Sequence, residues 1–388
     1  MAIVVAALLL AMVVTMVSMP LVRRLAVRMG AIDMPGVAGT DSERHLHTTP
    51  TPRMGGLAIF LGFYCSMAAF VTINPQQSAM LLGAAVIVLL GMVDDVRGLS
   101  AKVKLAVQIV AAVIAVSGGS VINYVSVPTW ISESGHLNLG WLSVPVTVVW
   151  IVLITNAVNL IDGLDGLACG VSTISSMTML VIALTVAEPD VALLMAALAG
   201  GCIGFLPYNL NPAKIFMGDT GSTFLGFILA TVSIEGLFKS YAIISFAVPF
   251  LMLGLPIFDT CFAILRRVSH GQSPMAPDRG HIHHRLIDMG FNQKQAVAVL
   301  YVISAILGLS AVVLTTTNVV RAMVVLMALC VAGGMAAKLY LDRMNHRDQD
   351  GAQPPQGRGG AKPRKLHNPP SDVAGSDYFF GEEERSDK

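Results

Sequence analysis

Long apolar runs alternate with short polar connections along almost the whole chain. A helix that crosses a membrane needs roughly 20 apolar residues. The runs therefore predict about eleven transmembrane helices, of which the third and the fifth are short. In chain order the runs cover residues 3–22, 55–73, 79–93, 103–119, 141–155, 167–187, 190–208, 222–238, 241–262, 296–315 and 319–341.

Composition agrees with this pattern. Of the 388 residues 54% are hydrophobic and 13% charged, whereas soluble domains carry about 25% charged residues. We therefore expect an all-α polytopic membrane protein with one membrane domain over residues 1–341. Residues 342–388 are rich in Gly, Pro and charge, without an apolar period, and predict a disordered cytoplasmic tail.

The distribution of basic residues predicts the orientation of the chain in the membrane. If the connection at 23–54 is cytoplasmic and the sides alternate from there, 23 of the 25 Lys and Arg residues fall on the cytoplasmic side. Positive charge is enriched in cytoplasmic loops. This predicts an outside N-terminus and a cytoplasmic C-terminus, and the lopsided count also supports eleven spans. The first run has no basic residue before it and reads as an anchored span.

Several chemistries find no support in the residues. The five cysteines are scattered through apolar runs without CxxC spacing, so we expect neither disulfides nor a zinc site built on them. The net charge is +1 and no basic patch interleaved with aromatic residues is present, so we expect no nucleic-acid partner.

The unusual polar stretches all fall at predicted cytoplasmic connections or span ends, whereas the outer connections are plain. This asymmetry places any active site at the cytoplasmic face. The stretches are HTTPTPRMGG (47–56), GMVDDVRGLSAK (91–102), NAVNLIDGLDG (156–166), NLNPAKIFMGDTGS (209–222), PIFDT (256–260) and RGHIHHR (279–285).

Two of these stretches carry paired aspartates. Asp94 and Asp95 could simply end a helix in water, but carboxylates there oppose the helix dipole and repel each other. Asp162 and Asp165 could be turn residues, because a glycine follows each. Their i, i+3 spacing would otherwise place both on one helix face.

The asparagines Asn156 and Asn159 in the second stretch favour a functional interpretation of that stretch. In MGDTGS we expect Asp219 or Ser222 to cap the following helix, beside a turn that could hold an anion or a metal carrying one.

Asp259 lies inside an apolar run, where an ionisable residue is a functional candidate by default. Pro249 and Pro256 predict a broken helix there, which would leave Asp259 nearer the cytoplasm. His281, His283 and His284 lack the spacing of helical zinc ligands. With Arg279 and Arg285 flanking them they favour phosphate recognition or proton exchange, although a solvated basic loop stays open.

Carboxylates gathered at one membrane face with Arg, His and Lys favour a divalent cation that lets an anionic substrate approach. Oxygen ligands suit Mg²⁺ or Mn²⁺, which share their coordination with substrate phosphates. The residues therefore predict metal-dependent phosphoryl-type transfer at the cytoplasmic face. A phospholipid or polyprenyl phosphate would be the acceptor and a soluble activated molecule the donor.

The ordered set DDVRG, NAVNLIDGLDGLA, NPAKIFMGDTGS and GHIHHR resembles the polyprenyl-phosphate N-acetylhexosamine-1-phosphate transferases. The resemblance covers residues 1–341 and leaves the tail unmatched. It implies transfer of a sugar 1-phosphate from a UDP-sugar to a polyprenyl phosphate with release of UMP. Because a lipid phosphate is already a nucleophile, we expect direct attack rather than an aspartyl intermediate.

The resemblance also implies roles for individual residues. Asp219 would bind Mg²⁺, and Asp94 or Asp95 would deprotonate or position the lipid phosphate. Asn156, Asn159, Asp162 and Asp165, with Asn209 beside them, would hold the nucleotide and the catalytic geometry. His281, His283 and His284 would lie over the sugar phosphate, with Arg53 and Arg285 as further substrate-binding residues.

The string HIHHR, with PRMGG earlier, looks like the branch that uses UDP-N-acetylglucosamine. The branch that uses UDP-MurNAc-pentapeptide has adjacent histidines where Ile282 stands here. From another class, an ion-coupled transporter would place its carboxylates at mid-span in a repeated fold, and no repeat is visible. A scaffold would give no reason for the spacing. A homodimer is left open.

Overall fold

The computed structural model describes residues 1–34, 50–126, 132–133, 136–236, 244–273 and 280–316. The eleventh predicted run and the predicted tail lie outside these ranges. Within them the helices are α1 (Ala2–Met29), α2 (Gly56–Phe70), α3 (Pro75–Arg97), α4 (Ala101–Ser117), α5 (Ser143–Leu160), α6 (Leu167–Thr185), α7 (Pro189–Asn209), α8 (Gly218–Gly236), α9 (Ile244–Met252), α10 (Gly254–Ser269), α11 (Ile282–Asp288) and α12 (Gln293–Thr316).

Each of the first ten predicted runs contains a helix, so the chain is an all-α polytopic membrane protein. Six helices of the described part are long and apolar enough to cross a membrane, namely α1, α3, α5 with its preceding turn, α6, α7 and α12. In the described ranges the strands are two antiparallel pairs, β1 (Ile32–Asp33) with β2 (Thr51–Pro52) and β3 (Tyr124–Ser126) with β4 (His136–Asn138). The short helix α11 had no counterpart among the predicted runs.

The predicted break in the run 241–262 is confirmed. The run forms α9 and α10, which meet at Leu253, with Pro249 inside α9 and Pro256 in the first turn of α10. A proline removes one backbone hydrogen bond and cannot continue a helix smoothly. Asp259 therefore lies on a new helix, in its second turn, where it is buried.

Helix α8 lies at the centre of the bundle, packed against α2, α3, α5 and α6. Its apolar side chains are buried on every side, including Phe224, Phe227 and Ile234. A helix that is apolar all round belongs in the interior of a large protein or a membrane bundle. In contrast, α1 exposes a row of apolar side chains such as Val13 and Val17, as expected of a helix against lipid.

Two glycines let neighbouring helices reach the first turn of α8. A Cβ added at Gly56 on α2 would lie 1.9 Å from the Cα of Gly221. A Cβ added at Gly91 on α3 would lie 2.4 Å from the Cα of Thr220. Close backbone approach through small residues is the usual way membrane helices pack tightly. These contacts hold the start of α8 against the end of α3, where the aspartate pair lies.

Substituting Gly91→Ala tests this contact. In an exposed helix the change would stabilise by about 0.5–1 kcal/mol. Here the new methyl meets backbone, so we expect a loss of about 2 kcal/mol or more and a lower thermal midpoint in detergent. The matched control is Val93→Ala on the exposed side of the same helix, which should change stability little. A Gly91→Ala protein as stable as the wild type would contradict the close packing.

Candidate active site

Asp95, near the end of α3, caps the start of α8. Its Oδ1 accepts a hydrogen bond from the N–H of Asp219 at 2.9 Å. Its Oδ2 accepts from the N–H and the hydroxyl of Thr220 at 3.1 and 2.6 Å. A carboxylate there satisfies free N–H groups and complements the helix dipole. The prediction that Asp219 or Ser222 would cap this helix is wrong, because α8 already begins at Gly218.

Lys104, in the first turn of α4, joins two aspartates. Its Nζ donates to Oδ2 of Asp94 and to Oδ2 of Asp219, at 2.8 Å in each case. The other oxygen of Asp94 accepts from the N–H of Leu99 at 2.6 Å. One ammonium shared by two carboxylates offsets their repulsion, and hydrogen bonds between charged groups are the strong ones. We call Asp94, Asp95, Asp219 and Lys104 the carboxylate cluster.

The two asparagines at the end of α5 have separate partners. Asn159 donates from Nδ2 to Oδ1 of Asp219 at 3.1 Å and to Oγ of Ser222 at 2.8 Å. Asn156 donates from Nδ2 to Oε1 of Gln108 on α4 at 2.6 Å. Asn159 therefore orients a carboxylate of the cluster, whereas Asn156 ties α5 to α4.

Asp162 follows α5 in the connection to α6 and is half-buried. Burial raises the pKa of its carboxyl to about 8, and the negative charges of Asp219 and Asp95 add to this shift. The positive charge of Arg53 opposes it. The carboxyl therefore lies within electrostatic reach of the carboxylate cluster.

Asp165 faces a different loop. Its Oδ2 accepts from Nδ2 of Asn211 at 2.9 Å and from the N–H of Ala213 at 3.0 Å. Asn211 also donates to Oε1 of Gln293 on α12 at 2.7 Å. Asp165 thus holds the 209–217 segment in place, and its predicted contact with the nucleotide stays a prediction.

Asn209 and Tyr301 form hydrogen bonds to the end of the 161–166 connection. Oδ1 of Asn209 accepts from the N–H of Gly166 at 3.1 Å, and its Nδ2 donates to the carbonyl of Ile215 at 3.1 Å. The hydroxyl of Tyr301 on α12 donates to the carbonyl of Gly166 at 2.6 Å. Both polar groups of the Gly166 backbone are therefore satisfied by side chains, which fixes where the 161–166 connection ends.

Arg53 lies beside the short β1–β2 pair. Its guanidinium contacts the carboxylate of Asp33 at 3.2 Å, and its backbone N–H donates to the carbonyl of Ala31 at 2.8 Å. Further along the same segment, the N–H groups of Gly55 and Gly56 bond to the 216–217 backbone. These bonds place Arg53 next to the start of α8.

The three histidines lie on and just before α11. The rings of His281 and His283 are nearly parallel, 5.7 Å apart, and the His283 and His284 rings are 4.2 Å apart. His283 covers Gly163, because a Cβ added at Gly163 would lie 2.4 Å from its Nε2. Arg285 is exposed.

Burial lowers the pKa of His283 to about 3, and the neighbouring charge of His284 adds to this effect. His283 is therefore neutral at ordinary pH. It can form hydrogen bonds with a phosphate but brings no positive charge to one.

Asp259 bonds to the segment that carries the histidines. Its Oδ2 lies 2.8 Å from Nδ1 of His281, and its Oδ1 accepts from the N–H of Ile282 at 2.8 Å. Asp259 and the segment that carries the three histidines, which are separate in the sequence, are therefore in direct contact.

The predicted residues form one region with a centre and a margin. The centre is the carboxylate cluster with Asn159 and Asp162, where the ends of α3 and α5 meet the starts of α4 and α8. Six residues of the margin bond to structural partners, and they are Arg53, Asn156, Asp165, Asn209, Asp259 and His281. The rings of His283 and His284 lie beside that of His281, and Arg285 is exposed on α11.

Sequence reasoning did not single out Lys104, Thr220, Asn211 or Tyr301. Lys104 had a detectable signal, since it is a basic residue at the very start of an apolar run. The other three look like ordinary helix or loop residues until their partners are known.

The oxygen donors suit a hard cation. Within the described ranges no three Asp, Glu, His or Cys side chains form a group that could hold a metal ion by themselves. Mg²⁺ commonly binds through one or two carboxylates together with substrate phosphates. Asp94 and Asp219 already share one cation, the Lys104 ammonium, so this pair is suited to positive charge.

The fold and the site define a polytopic membrane protein with a compact charged cluster where four helix ends meet. The family described as Glycosyl transferase family 4 matches residues 78–237. A Bacillus subtilis relative, the probable undecaprenyl-phosphate N-acetylglucosaminyl 1-phosphate transferase, is 43% identical over 317 residues, which are 81% of this chain and 86% of the relative.

Two further relatives are similar over most of their length. Decaprenyl-phosphate N-acetylglucosaminephosphotransferase of Mycobacterium tuberculosis is 34% identical over 351 residues, 83% of this chain and 85% of the relative. Phospho-N-acetylmuramoyl-pentapeptide-transferase of Moorella thermoacetica is 33% identical over 288 residues, 70% of this chain and 86% of the relative. The chain belongs to glycosyl transferase family 4, and the resemblance found in the sequence is confirmed.

The raised pKa of Asp162 predicts a pH dependence of stability. Between its ordinary value near 3.8 and about 8 the folded protein holds a proton that the unfolded chain releases. This contribution to stability is therefore complete below pH 4 and declines as pH rises to 8. We expect the thermal midpoint of Asp162→Asn, relative to wild type, to increase from pH 5 to pH 8 in chelator-containing detergent.

The control for loss of a charge is Asp288→Asn, at an exposed position of α11. A difference between Asp162→Asn and wild type that stays constant over this pH range would contradict the raised pKa.

Proposed function

We propose that this protein transfers N-acetylglucosamine 1-phosphate from UDP-N-acetylglucosamine to a polyprenyl phosphate. The products are polyprenyl-pyrophosphoryl-N-acetylglucosamine and UMP, and the reaction initiates a lipid-linked glycan of the cell envelope. The observation that carries the proposal is the Lys104 bridge between Asp94 and Asp219, in a chain 43% identical to a relative named for this transfer.

The proposed topology has eleven transmembrane helices in the plasma membrane, with the N-terminus outside and the C-terminus in the cytoplasm. It is supported by the distribution of Lys and Arg. It is also supported by the site, where the ends of α3 and α5 adjoin the starts of α4 and α8, as alternating spans require. UDP-sugars and the polar end of the lipid would then meet at the cytoplasmic face.

The reaction exchanges one pyrophosphate bond for another. An oxygen of the polyprenyl phosphate forms a bond to the β-phosphorus of the UDP-sugar, and the bond from that phosphorus to the bridging oxygen breaks. UMP leaves with the bridging oxygen and its electron pair. Such a displacement depends mainly on positioning and charge neutralisation.

The contacts of the paired aspartates favour Asp94 as the group that positions or deprotonates the lipid phosphate. Both oxygens of Asp95 receive hydrogen bonds from the first turn of α8. Both oxygens of Asp94 are bonded as well, but one of them accepts from the side chain of Lys104, an ammonium that an incoming phosphate could share. Lys104 is in place to offset phosphate charge as the acceptor approaches.

Asp219 is held from two sides, by Lys104 and by Asn159. A carboxylate held in this way is suited to binding rather than to covalent attack. This supports direct transfer between the two phosphates, without an aspartyl intermediate.

Mg²⁺, or Mn²⁺ in its place, is the proposed cofactor, with Asp219 as its ligand from the protein. When bound, the cation neutralises phosphate charge and polarises the phosphorus–oxygen bonds. The proposal is supported by the oxygen donors of Asp94 and Asp219 and by their shared contact with a positive charge.

Transfer is tested with membranes that contain the purified protein, radiolabelled UDP-N-acetylglucosamine, polyprenyl phosphate and Mg²⁺. We expect labelled lipid in the organic extract, stoichiometric UMP, and loss of both with a chelator. UDP-MurNAc-pentapeptide, the donor of the alternative branch, should give little product. Efficient use of that donor instead, or solute transport without labelled lipid, would overturn the proposal.

Asp219→Asn removes the proposed metal ligand while keeping the shape of the side chain. We expect transfer to fall by at least about 100-fold, the usual scale for losing an essential charge-stabilising group. The thermal midpoint should stay near that of the wild type. Substantial activity at ordinary Mg²⁺ concentrations would remove Asp219 as the essential ligand.

Lys104→Met removes the shared ammonium and leaves two carboxylates without it. We expect a loss of about 100-fold in kcat/KM, because breaking a desolvated charge pair typically costs about 2–5 kcal/mol. Lys102→Met, at an exposed position of the same turn, is the matched control and should retain activity. Equal activity of the two variants would show that Lys104 has no part in the transfer.

A further inference from the structure

Asp259 and the histidine segment are joined by a two-point contact. One carboxylate oxygen lies 2.8 Å from Nδ1 of His281, and the other accepts from the N–H of Ile282 at 2.8 Å. Both side chains of the pair are buried, with 3% and 5% of their surfaces exposed. Asp259 therefore holds the start of α11 with both of its oxygens, through His281 just before the helix and Ile282 as its first residue.

This contact fixes the proton of His281. A carboxylate can only accept hydrogen bonds, so Nδ1 of His281 must donate to Asp259. In the neutral ring the proton then lies on Nδ1, and Nε2 keeps its lone pair. The partner of one ring nitrogen thus decides the chemistry of the other.

The His281 ring is linked to the site through the His283 ring and Gly163. Its ring lies parallel to that of His283, with an angle of 8° between the planes. His283 in turn covers Gly163, where a Cβ would lie 2.4 Å from its Nε2. Gly163 directly follows Asp162, which lies within electrostatic reach of the carboxylate cluster. A shift of the His281 ring would therefore displace the histidines over the Asp162 connection.

We propose that Asp259 is a positioning residue for the transfer reaction, which acts by fixing the tautomer and the orientation of His281. It presents Nε2 of His281 as a hydrogen-bond acceptor and holds α11 over the connection that carries Asp162. The inference rests on the proposed function for its effect on rate, but its effect on the tautomer is independent of that function.

The decisive variant is Asp259→Asn. The side-chain oxygen of asparagine can still accept from the N–H of Ile282, which leaves its NH₂ group facing Nδ1 of His281. Nδ1 must then become the acceptor, and the proton moves to Nε2. The variant keeps the shape and the backbone contact but reverses the tautomer.

The tautomer is read directly by nitrogen NMR of the full-length protein labelled with ¹⁵N-histidine in lipid, with His281→Ala to assign the signal. We expect the Nδ1–H form in the wild type and the Nε2–H form in Asp259→Asn. An Nε2–H signal in the wild type, or an unchanged signal in the variant, would overturn the inference.

The effect on rate is read by a double-mutant cycle. Asp259→Asn should lower kcat by about 10–100-fold, the scale known for losing a group that orients a metal-bound histidine. KM for the UDP-sugar should change less. In a His281→Ala background the same change should have no further effect, because its target is gone. Additive losses would show that Asp259 does not act through His281.

Thr260→Val is the matched control. Thr260 is the next residue of α10, is 2% exposed, and its hydroxyl has no hydrogen-bond partner in the described part of the chain. This variant should keep the wild-type tautomer and rate. If wild-type protein forms no labelled lipid, the proposed function fails, while the tautomer measurement still decides the role of Asp259.

Discussion

The carboxylate of Asp95 joins the end of α3 to the beginning of α8, and the other contacts of the site are arranged around that bond. It accepts hydrogen bonds from the N–H groups of Asp219 and Thr220. The backbone of Asp219 is therefore fixed by Asp95, which lies on another helix. The close approach at Gly91 makes this contact geometrically possible. A buried helix start needs such an acceptor, because unsatisfied N–H groups away from water are costly.

Gathering carboxylates beside a membrane interior has an electrostatic cost, and the structure offsets it in several ways. Asp94 and Asp219 share the Lys104 ammonium. Asp95 accepts hydrogen bonds from the backbone N–H groups at the start of α8. Asp165 accepts hydrogen bonds from the side-chain amide of Asn211 and the backbone N–H of Ala213. Asp162 has no such partner among the described residues, and burial and its charged neighbours raise its pKa to about 8. Its charge therefore depends on what binds beside it.

Much of the fold could be predicted because lipid imposes a simple rule on every span. The apolar runs located the helices, and Pro249 and Pro256 correctly indicated the break between α9 and α10. The cap of α8 was predicted wrongly, because a local pattern favours Asp219 or Ser222 whereas the acceptor comes from Asp95, 124 residues away. Lys104, Tyr301 and the pairing of Asp259 with His281 also depend on contacts between distant segments.

The sequence by itself determined the class of protein, the positions of the first ten helical segments, and which polar stretches would meet. These follow from hydrophobicity, helix length and the order of the motifs, all of which are local properties. Only the tertiary structure decided that Asp95 caps α8, that Asp94 and Asp219 share a lysine, and that Asp162 remains half-buried with a raised pKa. Those roles depend on side-chain partners brought together by helix packing, and neighbours in the chain do not specify them.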